Sequence, residues 1–339
     1  MIMSSVTTAS EFALAAPSWC NNSIASMGAC GLPLSDASLL AAAVLNVTSA
    51  TTSTTTTQSP IISSGSNNSI NSTALAAEFD ALAARDWMYA HRPHVCAIVS
   101  AYIALCVLIG PRLMRNTAPI NCDRTQFIWN ILLATYSWVT TFQLLPEFID
   151  SVQEDGLYGS LCNARTMYSG ATGYVVWLFH TSKVLELGDT IWLVLRKRPV
   201  IFLHWYHHIT VLLNAWFSYL DAGAIVRWGM DMNLVVHSVM YTYFVLQHAT
   251  NRRVPRAVAR AVTTLQIAQF IIGCCGVTAA FYNSVVRDVK CDCEMSVMWR
   301  HMAMYVSYLV LFSHFFYCAY MKPKSDKQRP KRVDGSKQD

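Results

Sequence analysis

Apolar residues gather into seven long runs along this chain: 95–110, 127–145, 172–195, 201–220, 224–247, 262–282 and 299–320. A helix needs about 20 apolar residues to cross a bilayer. The first run is short and is expected to begin upstream of Val95. The pattern predicts an all-α, polytopic membrane protein with seven transmembrane helices in a core spanning residues 85–321, followed by a basic tail, 322–339. Residues 1–84 read differently. They contain no Lys or Arg, and 26 of the first 80 are Ser or Thr, too few bulky apolar groups to offset the entropy of ordering. This segment is expected to be a disordered extension. It lacks the basic start of a cleaved signal peptide and carries four glycosylation sequons, at Asn21, Asn46, Asn67 and Asn71.

Composition agrees. Of 339 residues, 53% are hydrophobic and 13% charged, about half the charge of a soluble domain. Mean hydropathy is +0.31. A soluble globular fold is excluded. Eleven cysteines without a CxxC pair do not make a zinc module. The net charge of +5 is explained by position, so no nucleic-acid partner is expected. Arg112, Arg115 and Arg124 follow span 1, Arg196-Lys197-Arg198 follow span 3, and Arg252, Arg253 and Arg256 follow span 5. Seven more basic residues follow span 7, in position to meet anionic lipid headgroups. The segment after span 2 is acidic, with Glu147, Asp150, Glu154 and Asp155. The positive-inside rule then puts the C-terminus in the cytosol and the N-terminus, with its sequons, in the lumen. Cys162, Cys291 and Cys293 fall in lumenal loops. Cys162–Cys291 is the candidate disulfide, with Cys293 as the alternative partner.

Ionisable groups inside a span are costly and mark candidate sites. Lys183, Glu186 and Thr190 share one helical face, with Asp189 beside them. A purely structural ion pair is the plainer reading. His204, His207 and His208, at i, i+3 and i+4, also share a face. A lone histidine would be packing; three together suggest metal ligation or nucleophilic and general-base catalysis. Asn233, His237 and Tyr241 stand four residues apart, with Tyr243 just beyond, where interhelical hydrogen bonding is the alternative. Gln266 and Gln269 share a face with Thr263 and suit packing and substrate contact equally. All four clusters lie toward the Arg196-Lys197-Arg198 side. They predict a polar chamber enclosed by spans 3 to 6, with a basic mouth for an anionic carrier such as a nucleotide phosphate and an apolar interior for an alkyl chain.

Taken in order, Lys183…Glu186…Asp189-Thr190, His204-Trp205-Tyr206-His207-His208, His237…Met240-Tyr241…Tyr243 and Thr263…Gln266…Gln269 resemble the signature blocks of the ELO family, the membrane elongases of very long chain fatty acids. The resemblance covers about residues 95–320. The stretches 201–213 and 308–316 are most similar to the subgroup acting on saturated and monounsaturated acyl chains; Phe244 departs from the family, where many members carry Tyr. The resemblance implies an endoplasmic-reticulum 3-ketoacyl-CoA synthase without metal or cofactor. Long-chain acyl-CoA condenses with malonyl-CoA to 3-ketoacyl-CoA, CoA and carbon dioxide. Reductase and dehydratase enzymes of the elongation cycle are the implied partners. Nothing in the chain distinguishes a monomer from a homodimer. Spans 2 to 7 would form a helical barrel around an acyl tunnel.

The resemblance points to His207 as the acylated nucleophile, faced by His237, with His204 and His208 orienting it or moving protons. Glu186 and Asp189 would fix an imidazole tautomer. Lys183 would balance them or bind the thioester or malonyl carboxylate. Asn233, Tyr241, Tyr243, Gln266 and Gln269 would contact substrate, and Arg196, Lys197 and Arg198 the CoA phosphates. One rival is a membrane di-iron desaturase or hydroxylase, which needs several histidine boxes where this chain has one HxxHH among ten histidines. The other rival is a seven-span receptor or transporter, in which three histidines on one face have no ready purpose.

Overall fold

A computed structural model describes residues 79–250 and 254–322. Asn21, Asn46, Asn67, Asn71, Arg252, Arg253 and the tail beyond Lys322 lie outside the described residues. All regular elements among the described residues are helices.

The first, α1 (Ala81–Ala90), starts where Asp80 accepts from the backbone N–H groups of Leu82 and Ala83, the N-cap geometry. It begins four residues before the boundary that composition suggests at residue 85. Ala84 and Met88 supply the reason, since both are buried against the bundle. Next, α2 (Arg92–Asn116) carries Pro93 in its first turn and extends the short first run at both ends. α3 (Asp123–Cys162) is 40 residues long and turns at Gly156, whose φ of +71° suits a residue without Cβ. The acidic residues Glu147, Asp150, Glu154 and Asp155 therefore ride on a helix rather than a loop. The third run is divided between α4 (Gly170–Glu186) and α5 (Gly188–Leu195). The remaining helices are α6 (Phe202–Asp221), α7 (Val226–Ala249), α8 (Arg256–Val285) and α9 (Met295–Phe316).

The helices α3, α7, α8, α9, α6 and α4 touch in that order and close back on α3, forming a six-helix ring. α2 stands outside it against α5, and α1 packs on α4 and α6. Among the described residues, three helices are long and apolar enough in themselves to cross a membrane: Arg92–Asn116, Arg256–Val285 and Met295–Met321. Helices also occupy the other four predicted runs, and those carry the inward polar groups that lower their hydropathy. Large apolar side chains such as Leu132, Phe142, Ile271 and Val310 face outward, as a lipid-facing surface requires.

One end of the ring is tied covalently and electrostatically. Cys162 and Cys291 form a disulfide with Cα atoms 4.4 Å apart. Asp292 N–H donates to the Cys162 carbonyl at 2.7 Å, and Ala224 N–H to the Asp292 carbonyl at 2.8 Å. Cys293 stays a free thiol, which burial pushes up to about 11, so it remains protonated and unreactive at neutral pH. Arg227 is fully buried here. Its guanidinium meets both carboxylate oxygens of Glu147 and donates to the carbonyls of Ser160, Asn163 and Ala164 at 2.6, 2.9 and 3.0 Å. Those carbonyls lie at the C-terminal end of α3, where helical partners run out. Arg227 lies in the fifth apolar run but belongs to none of the four polar clusters, because its partners are distant in sequence.

Candidate active site

The four polar clusters converge inside the ring. Lys183, near the end of α4, donates to Glu186 Oε1 and to Asn233 Oδ1 of α7, each at 2.7 Å. The ammonium also stands over the Phe179 ring, 4.3 Å from its centre. Glu186 Oε1 also lies 3.6 Å from His237 Nδ1, too far for a hydrogen bond. A one-residue break at Leu187 separates α4 from α5, where the chain tightens but stays helical, and Lys183, Glu186 and Thr190 are all buried. Gly188 marks that break: a Cβ there would stand 2.6 Å from Trp129 Cζ2. The close approach lets Trp129 Nε1 donate to Asp189 Oδ1 at 2.7 Å, while Tyr241 OH donates to Oδ2 at 2.8 Å. Both Asp189 oxygens are thus occupied by neutral donors, and neither meets an imidazole. The residue that does is Thr190. Its Oγ1 lies 2.9 Å from His204 Nε2 and 2.7 Å from Tyr102 OH. A hydrogen-bonded relay therefore runs from α2, outside the ring, to the histidine box.

The box occupies the first two turns of α6. The His204 and His208 rings are 4.4 Å apart, and His207 and His208 are 5.6 Å apart, edge to face. His207 turns toward Tyr308 and Phe312 of α9, at 4.8 and 5.9 Å between ring centres. A cavity of about 130 Å³ is lined by His204, His207, His208, His237, Gln266 and Gln269, together with Asp189, Tyr241 and the phenyl rings of Phe244, Phe312 and Phe315. A smaller cavity of about 60 Å³ lies toward the disulfide end and is lined by Lys183, Asn233, His180, His301, Tyr305 and Tyr308. His207 and Gln269 border both.

Other predicted contacts lie elsewhere. Tyr243 packs with Ala259 and Val262, away from both cavities. Arg196 pairs with Asp123 at 2.8 Å and donates to Gln126, a residue of the larger cavity's wall. Lys197 adopts a left-handed φ of 54° and its ammonium caps the Arg115 and Thr117 carbonyls at 3.1 and 2.9 Å. Arg196 thus fastens the turn after α5 to the start of α3, and Lys197 fastens it to the end of α2. Sequence reading missed Tyr102, Trp129, Gln126, His180 and His301. Gln126, Trp129 and Asn130 share a helical face around the start of the second apolar run, a signal that was legible. Among the described residues, no three His, Cys, Asp or Glu side chains gather in a metal-holding group.

The ELO model, described as the GNS1/SUR4 family, matches residues 87–328. The chain belongs to the ELO family. It is 40% identical over 247 residues to "Very long chain fatty acid elongase 6" of Drosophila melanogaster, covering 72% of this chain and 78% of that protein. It is 40% identical over 225 residues to "Long chain fatty acid elongase 1" of Caenorhabditis elegans, 66% of this chain and 78% of the relative. The Gallus gallus "Very long chain fatty acid elongase 6" is 37% identical over 225 residues, 66% of this chain and 83% of that protein. The ELO match takes in all four polar clusters and leaves the Ser/Thr-rich extension outside.

Proposed function

We propose that the larger cavity is the condensing centre of fatty acid elongation and that His207 carries the acyl group between two half-reactions. Elongation itself, an acyltransferase reaction at a membrane, follows from ELO membership and from the elongase relatives. The observation that carries the site assignment is the place of His207. It is the box histidine that borders both cavities, and among the described residues no hydrogen bond occupies its ring. The two other histidines of the box point only into the larger cavity, and His204 is already held by Thr190.

In the first half-reaction an unprotonated His207 nitrogen attacks the acyl-CoA carbonyl, and the CoA thiolate leaves. In the second, malonyl-CoA loses carbon dioxide, its enolate carbon attacks the acyl-imidazole, and His207 departs as the 3-ketoacyl-CoA forms. His208 and His237 stand on the cavity wall to stabilise negative charge on the carbonyl oxygen and the enolate. Arg198 at the turn after α5 supplies the charge for CoA phosphates, since Arg196 and Lys197 are committed to the scaffold. With the basic turn in the cytosol, the disulfide end faces the endoplasmic-reticulum lumen, which is oxidising. Similarity of the 201–213 and 308–316 stretches supports saturated and monounsaturated long-chain acyl-CoA as substrate.

The test is a balance on purified protein given malonyl-CoA and an acyl-CoA. One carbon dioxide and one free CoA per 3-ketoacyl-CoA is expected. A product that forms without malonyl-CoA and consumes dioxygen would replace this reading with the oxygenase one.

A further inference from the structure

The smaller cavity holds polar groups that condensation does not use. It is bordered by His180 of α4, Asn214 and Ser218 of α6, and His301 of α9. Asn214 lies seven residues beyond His207 on α6, about 10 Å along the helix axis. His180 Nδ1 faces the Val176 carbonyl at 2.7 Å, and His301 Nδ1 faces the Val297 carbonyl at 2.9 Å. A carbonyl only accepts, so both rings carry their proton on Nδ1 and present Nε2 as an acceptor. His301 Nε2 accepts from Asn214 Nδ2 at 3.3 Å, which leaves Asn214 Oδ1 as the free end of that amide. Among the described residues, three buried atoms at this cavity then have no hydrogen-bond partner: His180 Nε2, Asn214 Oδ1 and Ser218 Oγ. His180 and Ser218 are each 1% exposed. An unbranched methyl end would leave these acceptors unmatched, a cost that buried polar groups ordinarily avoid.

We propose that this cavity is a recognition site for a hydroxyl on the distal part of the acyl chain. The hydroxyl donates to His180 Nε2 or Asn214 Oδ1 and accepts from Ser218. A keto oxygen has no proton to donate, so the same two acceptors discriminate against it. The inference rests on the assignment of His207, because the chain must pass from that residue toward the disulfide end.

The test uses the full-length purified protein, malonyl-CoA and an equimolar mixture of acyl-CoAs of one length: unsubstituted, hydroxylated at the terminal and subterminal carbons, and the matching keto chains. Products are separated by mass. In the parent protein at least one hydroxylated isomer is expected to be elongated in preference to its keto counterpart. The combined substitution His180→Leu and Asn214→Leu is expected to lower the hydroxylated-to-unsubstituted product ratio about tenfold. Because the readout is a ratio within one reaction, partial loss of folded protein cancels. Ser218→Ala, a smaller change, is expected to move the ratio in the same direction. An unchanged ratio in all variants overturns the proposal and leaves those groups to water. Failure of the parent protein to elongate any of the chains would overturn the elongase reading instead.

Discussion

Arg227 and His207 are polar residues held inside the same ring of helices, and their hydrogen bonding is opposite. Every nitrogen of the Arg227 guanidinium has an acceptor, on Glu147 or on the carbonyls that end α3. The His207 ring has none among the described residues, and it faces space on two sides. The Arg227 pattern is what burial of a structural charge requires. The His207 pattern is what a nucleophile requires, since a nitrogen engaged by the protein is not free to attack a thioester. The disulfide end therefore fixes the helices, and the box end is left open for chemistry.

Substitutions at the two places should separate accordingly. The largest effect on rate is expected from His207→Ala, which should lower product formation about 10²–10⁴-fold in a malonyl-CoA incorporation assay. Its thermal unfolding should stay close to that of the parent. Arg227→Ala should do the reverse first. Leaving Glu147 and three carbonyls unmatched is expected to cost about 3–5 kcal/mol, read as a lower unfolding midpoint in detergent. Arg227→Lys keeps the charge but loses the fork and should fall between the two. Cys291→Ser removes the cross-link between the end of α3 and the segment before α9. A loss of about 2–4 kcal/mol is expected, reproduced in the parent protein by a membrane-permeant reductant. The smallest effect should come from Tyr102→Phe, which cuts the relay to Thr190 and His204 without touching either cavity. A fall in kcat of about fivefold with KM unchanged is expected. A change in unfolding without a change in kcat would make Tyr102 part of the scaffold.

The parts legible in the sequence were those set by local spacing. The imidazoles at i, i+3 and i+4 on α6 face the larger cavity together, and Lys183 and Glu186 form the ion pair that their spacing of three allows. Parts set by distant contacts were not legible. Asp189 has the residue type of an imidazole-orienting carboxylate, yet Gly188 brings Trp129 against it and Tyr241 takes its other oxygen. The hydrogen bond to an imidazole comes instead from Thr190, which also meets Tyr102 on a helix outside the ring. Arg196 and Lys197 read as phosphate ligands by charge alone, but side-chain charge does not reveal that carbonyls and carboxylates stand within reach. His180 and His301 belong to none of the four clusters in the sequence, and only the closed ring brings them to one cavity.

The central claim, that His207 takes the acyl group before malonyl-CoA reacts, is open to direct observation. Purified protein would be mixed with acyl-CoA alone, quenched, and digested for mass spectrometry. Release of free CoA equal to the protein present is expected, with an acyl mass on the peptide containing His207 that is discharged when malonyl-CoA is added. No CoA release until malonyl-CoA is added, or an acyl mass on a residue other than His207, would contradict it.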